Sequence, residues 1–140
     1  EKEYLADAKK NNLNKKISFA LSNLHTYLCN AGKFDEAGRL MPELIYYANE
    51  TRDFVSTAYA YLNMMSDTAA MHNVTFSISL LNQAIDAVLS YTDKEMQQEK
   101  TNMVQIANTL KENIVLYIGV HEIETVAEKF AIVEKRISRL

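Results

Sequence analysis

The residues able to do chemistry are few and scattered. Three histidines, His25, His72 and His121, fall on different predicted helical hairpins, with no local spacing that would bring their ring nitrogens to one metal ion. His121-Glu122 opens like a zinc-protease motif, but Thr125 stands where the second histidine is needed to complete the ligand pair on one helix face. Cys29 is the single cysteine, so no intrachain disulfide can form and a metal site built on cysteines is excluded. With no activating group next to it in the chain, Cys29 reads as a small buried hydrophobe. There is no glycine-rich phosphate loop and no nucleophile elbow. Acid pairs such as Asp35-Glu36 sit where helices start. The chain is expected to be non-catalytic, with no cofactor and no metal.

Composition narrows the class. Hydrophobic residues make up 48% and charged residues 24% of the 140 residues, close to an ordinary globular protein and long enough for one continuous core. Three glycines and one proline leave few tight turns, which favours long helices. The net charge is −3 and the fifteen Lys and Arg are dispersed, whereas binding to nucleic acid by counterion release wants a concentrated basic face. No direct nucleic-acid ligand is expected. No apolar run approaches the roughly 18 residues of a membrane span, and Glu1 is not followed by a signal pattern. The chain reads as one domain over residues 1–140, a fragment of a larger protein. A lone cysteine suits a reducing, cytoplasmic setting.

The elements that must position any site are amphipathic helices. Glu1 to Lys10, with Tyr4, Leu5 and Ala8 on one side, predicts a short N-terminal helix, and Asn11, Asn12 and Asn14 predict a polar break. A long helix is expected from Lys15 to Ala31 on the stripe Ile17, Leu21, Leu24, Leu28 and Ala31, ending at Gly32 in a left-handed terminus. Its partner starts near Phe34, carries Ala37, Met41 and Leu44, and should bend at Pro42, where Gly38 leaves the backbone room. Thr51 to Asp53 predicts a stop and a new cap. Phe54, Ala58, Tyr61, Met65 and Thr68 then predict a third helix running to Met71. Asn73 marks a turn before a fourth helix on Val74, Ile78, Leu81, Ile85 and Val88. Thr92-Asp93-Lys94-Glu95 is a capping-box pattern, predicting a fifth helix through Met103, Ile106, Leu110, Ile114 and Tyr117 to Gly119. A last helix from His121 repeats Val126, Phe130, Val133, Ile137 and Leu140 at coiled-coil spacing. That seam either packs on the fifth helix or remains open to form a homodimer or continue into a connecting coiled coil.

The first hairpin resembles the tetratricopeptide repeat through Leu21-x-x-Leu24, Tyr27-Leu28, Gly32-Lys33-Phe34-Asp35-Glu36-Ala37, Met41 and Leu44, best over residues 17–48. Tyr61, Met64, Leu81 and Ala84, and then Ala107, Leu110, Ala127 and Phe130, stand at corresponding places in two degenerate later pairs. The resemblance implies an all-α fold: a right-handed array of antiparallel helix hairpins, an α-α superhelix of about three pairs plus the short N-terminal helix. It also implies that the first helix of each pair lines a concave face that binds a peptide or partner segment. On that face the resemblance places Asn23, Thr26 and Asn30 from the first pair and Tyr59, Asn63 and Ser66 from the second. Asn23 and Asn63 hold equivalent places, each with an amide able to donate and accept along a peptide backbone. The corresponding third-helix positions, Gln105, Asn108, Thr109 and Glu112, lack the basic residues of a carboxylate clamp. The expected function is a peptide-interaction scaffold in a regulatory protein. The rival is a sensor or connector, relaying a signal through the last helix to an output domain such as a histidine kinase or a diguanylate cyclase.

Overall fold

The computed structural model describes residues 2–67 and 72–140, with side chains from residue 9 onward. The described residues form α-helices and no strands: α1 (Lys2–Asn30), α2 (Phe34–Thr51), α3 (Phe54–Met64), α4 (Val74–Leu89), α5 (Asp93–Gln98), α6 (Lys100–Val115) and α7 (Ile123–Ser138). None of them is long and apolar enough to cross a membrane. Three hairpins result. α1 packs on α2, α3 on α4 and α6 on α7, while α3 also touches α1, α2 and α6, and α4 touches α6 and α7.

Local chemistry sets the hairpin ends. Gly32, at φ +74°, closes α1 in a Schellman motif: its own N–H bonds the Cys29 carbonyl at 3.1 Å, and the Lys33 N–H bonds that of Leu28 at 2.8 Å. α2 ends the same way without a glycine. Arg52 takes φ 55°, which strains an L residue by about 1–2 kcal/mol. Its guanidinium compensates by gripping both Glu95 carboxylate oxygens at 2.8 Å and lying 5.2 Å from the Phe54 ring centre. Asp53 caps α3 through Ser56, and Asn73 caps α4 through Phe76. Thr92 and Glu95 form the expected capping box at α5. Gly119, at φ +96°, lies in the turn between α6 and α7.

Several expectations need correction. α1 is one unbroken helix, so no separate N-terminal helix precedes it. Three asparagines cost less than about 0.7 kcal/mol each relative to alanine, too little by themselves to end a helix. Tyr4, Leu5 and Ala8 lie outside the described side chains. The buried line of α1 is Ser18, His25, Leu28 and Cys29, whereas Leu24 is 45% exposed. α3 ends at Met64, and the Thr68 and Met71 expected in it lie outside the described residues. The fifth predicted helix is two, α5 and α6, broken at Glu99 (φ −108°, ψ 24°). No glycine or proline causes that break; it lets Met96 and Met103 both enter one core.

The main core is built on α4, whose Leu81, Ile85 and Val88 are sealed against α3, α6 and α7. The C-terminal seam closes inside the molecule. Val126, Phe130 and Val133 are buried in this same core and Ile137 and Leu140 pack against it, so this stripe packs within the chain. Smaller clusters join α1 to α2 through Leu28, Cys29 and Ala37, and α2 to α3 through Met41, Leu44 and Ala60.

The Arg52–Glu95 clasp makes stability depend on pH. The guanidinium, and next the Thr92 backbone N–H, hold the Glu95 carboxyl down at about 2. Because the folded value lies below the unfolded one, the stabilisation is complete above about pH 4.5 and disappears as pH falls through 2. Urea unfolding of wild type and Glu95→Gln should therefore differ by a constant amount from pH 5 to 7 and converge by about pH 2. A gap that stayed the same at both ends would refute the clasp.

Candidate functional site

α3 and α6 diverge to leave a cleft of about 500 Å³. Leu62 and Met65, both buried, form its apolar floor, while Tyr59, Asn63 and Ser66 of the α3 segment face Thr109 and Asn113 of α6. The side chains reach there because α3 presents residues 59, 62 and 63 on one helical face, with Ser66 in the turn just after it, and α6 presents 105, 109 and 113 at four-residue steps. Tyr59 bridges the walls, its hydroxyl donating to Gln105 Oε1 at 3.2 Å, and burial pushes its pKa up. Thr109 and Asn113 direct donors back to their own helix: the Thr109 hydroxyl to Gln105 O at 3.1 Å and the Asn113 amide nitrogen to Thr109 O at 2.8 Å. That leaves the Asn113 amide oxygen and the half-buried Asn63 amide for a guest. Among the described residues, none lining the cleft carries a charge.

The sequence-predicted residues divide here. Tyr59, Asn63 and Ser66 come together in the cleft. Asn23, Thr26 and Asn30 do not line it; they are exposed on α1, and the Thr26 hydroxyl is spent on the Ser22 carbonyl at 3.0 Å. Asn23 and Asn63, equivalent in the repeat pattern, therefore do not share this cleft. Asn113 was missed, although it lies one helical turn beyond Thr109, which the third-helix positions included.

A second cleft, also about 500 Å³, lies at the Arg52–Glu95 corner beside Lys15, Ser18, Tyr91 and Glu99. Several of its polar groups serve the fold. Asp53 caps α3, Glu99 accepts from Asn102 and the Tyr91 oxygen accepts from the Val55 N–H. Tyr91 is pushed up to about 12, chiefly by burial, which leaves it no use as an acid or base near neutrality.

His25 and Cys29, one turn apart on α1, face each other with Nδ1 3.8 Å from Sγ. Burial lowers the His25 pKa; burial first, and then the Asp67 charge, raises that of Cys29. Both are therefore held neutral, the reverse of the imidazolium–thiolate pair that nucleophilic catalysis needs. His25 Nε2 has no hydrogen-bond partner, nor do Ser18 Oγ and Thr57 Oγ1, and an orphaned buried group of this kind costs about 1–3 kcal/mol. Among the described residues no group of three or more His, Cys, Asp or Glu could hold a metal ion.

Compared with known protein families, curated proteins and solved structures, the chain matches none.

Proposed function

We propose that this protein is a tetratricopeptide-like interaction module whose α3/α6 cleft binds an extended, uncharged peptide segment of a partner, with no catalytic step. The observation that carries this reading is the cleft's chemistry: the Asn63 and Asn113 amides and the Tyr59 ring stand over an apolar floor of Leu62 and Met65, with no charge in the lining. Amides at the walls suit backbone N–H and C=O groups whatever the side chains, and the floor suits a small apolar side chain. A charged peptide side chain would lose its hydration there without gaining a counter-charge. The hairpin stacking of the all-α fold and the repeat-like residues of the first pair support the family resemblance.

The test is selection of 12-residue peptides from a random phage-displayed library on the full chain, followed by fluorescence anisotropy with the selected peptides. Peptides with an uncharged central stretch are expected. Asn63→Ala combined with Asn113→Ala should weaken them by tenfold or more, while Asn23→Ala changes affinity less than twofold. Selected peptides that bind the double variant as tightly as wild type would refute the cleft as the site.

A further inference from the structure

We infer that this chain forms a homodimer in which α1 of one copy lies antiparallel along α1 of the other. α1 carries two lines of side chains. Ser18, His25, Leu28 and Cys29 are buried where the helix packs on α2 and α3. On the side turned away from them, Leu13, Ile17, Ala20, Leu24, Tyr27 and Ala31 follow one another at alternating four- and three-residue steps, the spacing of a coiled-coil seam. None of the six is buried. Leu13 is 57% exposed, Leu24 45% and Tyr27 63%; Ala20 and Ala31 are exposed and Ile17 is half-buried. Single apolar side chains on a surface need no explanation, whereas six in register along one helix form a stripe that a second helix fits.

The order of the stripe selects the partner and its direction. A two-fold axis level with Ser22 sets Leu13 against Ala31, Ile17 against Tyr27 and Ala20 against Leu24 of the second copy, and the same three layers recur beyond the axis. Every seam residue is used, and in two of the three layers a large side chain meets a small one. The stripe is therefore complementary to its own reverse, which is the property a second copy supplies. Beside the axis Asn23 meets Asn23 of the second copy, where each amide can donate to the other. Charge fixes the direction as well. Lys9, Lys10, Lys15 and Lys16 are all exposed. A parallel pair would set the two groups of lysines side by side, whereas the antiparallel pair holds them about 30 Å apart, beyond a Debye length of about 8 Å. It also brings Lys9 and Lys10 level with the α1/α2 turn of the second copy, beside the exposed Asp35 and Glu36. The contact is isologous and closes at two copies. One helix pair in contact over about 27 Å stands at the low end of specific interfaces, so the dimer is a weak one.

The experiment is sedimentation equilibrium of the full chain from about 5 to about 500 µM, with a spin-label distance measured at the upper concentration. A monomer–dimer equilibrium with a Kd of about 1–100 µM is expected. A nitroxide on Asn12→Cys, an exposed position, should report about 30 Å between copies, against about 10 Å in a parallel pair, while buried Cys29 stays unlabelled. Leu24→Lys combined with Tyr27→Lys should weaken association a hundredfold or more and leave the urea midpoint of the dilute protein unchanged, because both side chains are exposed in a single copy. Phe19→Lys, at a residue 69% exposed but off the seam, should change association less than twofold. The inference is overturned if the chain stays monomeric at the upper concentration, if the labels lie about 10 Å apart, or if the double variant dimerises as tightly as wild type. Leu24 and Tyr27 do not line the α3/α6 cleft, so peptide binding is a separate readout.

Discussion

Leu81→Ala is expected to lower the free energy of unfolding by about 2–5 kcal/mol, a large share of the total for a domain of this size. Leu81 is 0% exposed and sits on α4, the helix that contacts α3, α6 and α7 together. Removing the isobutyl group deletes its burial and leaves a cavity whose walls belong to four helices. Ala84, Ile85 and Val88 on the same helix are themselves sealed, so no neighbour can move in without opening a gap elsewhere. Urea titration should show a lower midpoint with an unchanged slope, since the surface exposed on unfolding hardly changes. Leu81→Met, nearly equal in volume, should cost less than about 1.5 kcal/mol. A loss below about 1 kcal/mol for Leu81→Ala would mean that α4 is not the centre of the core.

The features legible in the sequence are those fixed within a few residues. Gly32 is readable because a left-handed terminus excludes most side chains, and Thr92-x-x-Glu95 because a capping box satisfies its own N–H groups. The stripe of α4 is readable because that helix is buried on most of its surface. What depends on distant partners is not. Arg52 holds a strained backbone only because Glu95, 43 residues later, takes its guanidinium, and nothing near Arg52 announces this. The break at Glu99 has no local breaker, and the three asparagines of α1, which look like a break, cost too little helix propensity to make one. The cleft was half legible. Tyr59 and Asn63 share one face of a short helix and Ser66 follows just past its end, but whether Asn23, Thr26 and Asn30 join them depends on how α1 is rotated against α3.

Arg136→Met should cost about 1–3 kcal/mol, the range for lost hydrogen bonds to a charged donor. Arg136 is the clamp between α7 and the junction of α4 with α5. Its Nη2 donates to Tyr91 O at 2.7 Å, Nη1 reaches Leu89 O at 3.5 Å and Nε donates to Asp93 Oδ1 at 3.0 Å. The carbonyls at a helix end have no partner within the helix, and a cation there also meets the negative end of the helix dipole. Methionine keeps the aliphatic stem over the core but supplies no donor. The side chain is only 20% exposed, so water replaces the lost bonds poorly, while the Asp93 side chain is 85% exposed and its ion pair is worth little. Asp93→Asn should accordingly change stability by less than about 0.5 kcal/mol. Lysine at position 136, a point donor without the planar fork, should restore less than half of the loss. Urea unfolding of the three variants separates the two contributions: if Arg136→Met costs no more than Asp93→Asn, the carbonyl clamp is not what holds α7 against the end of α4.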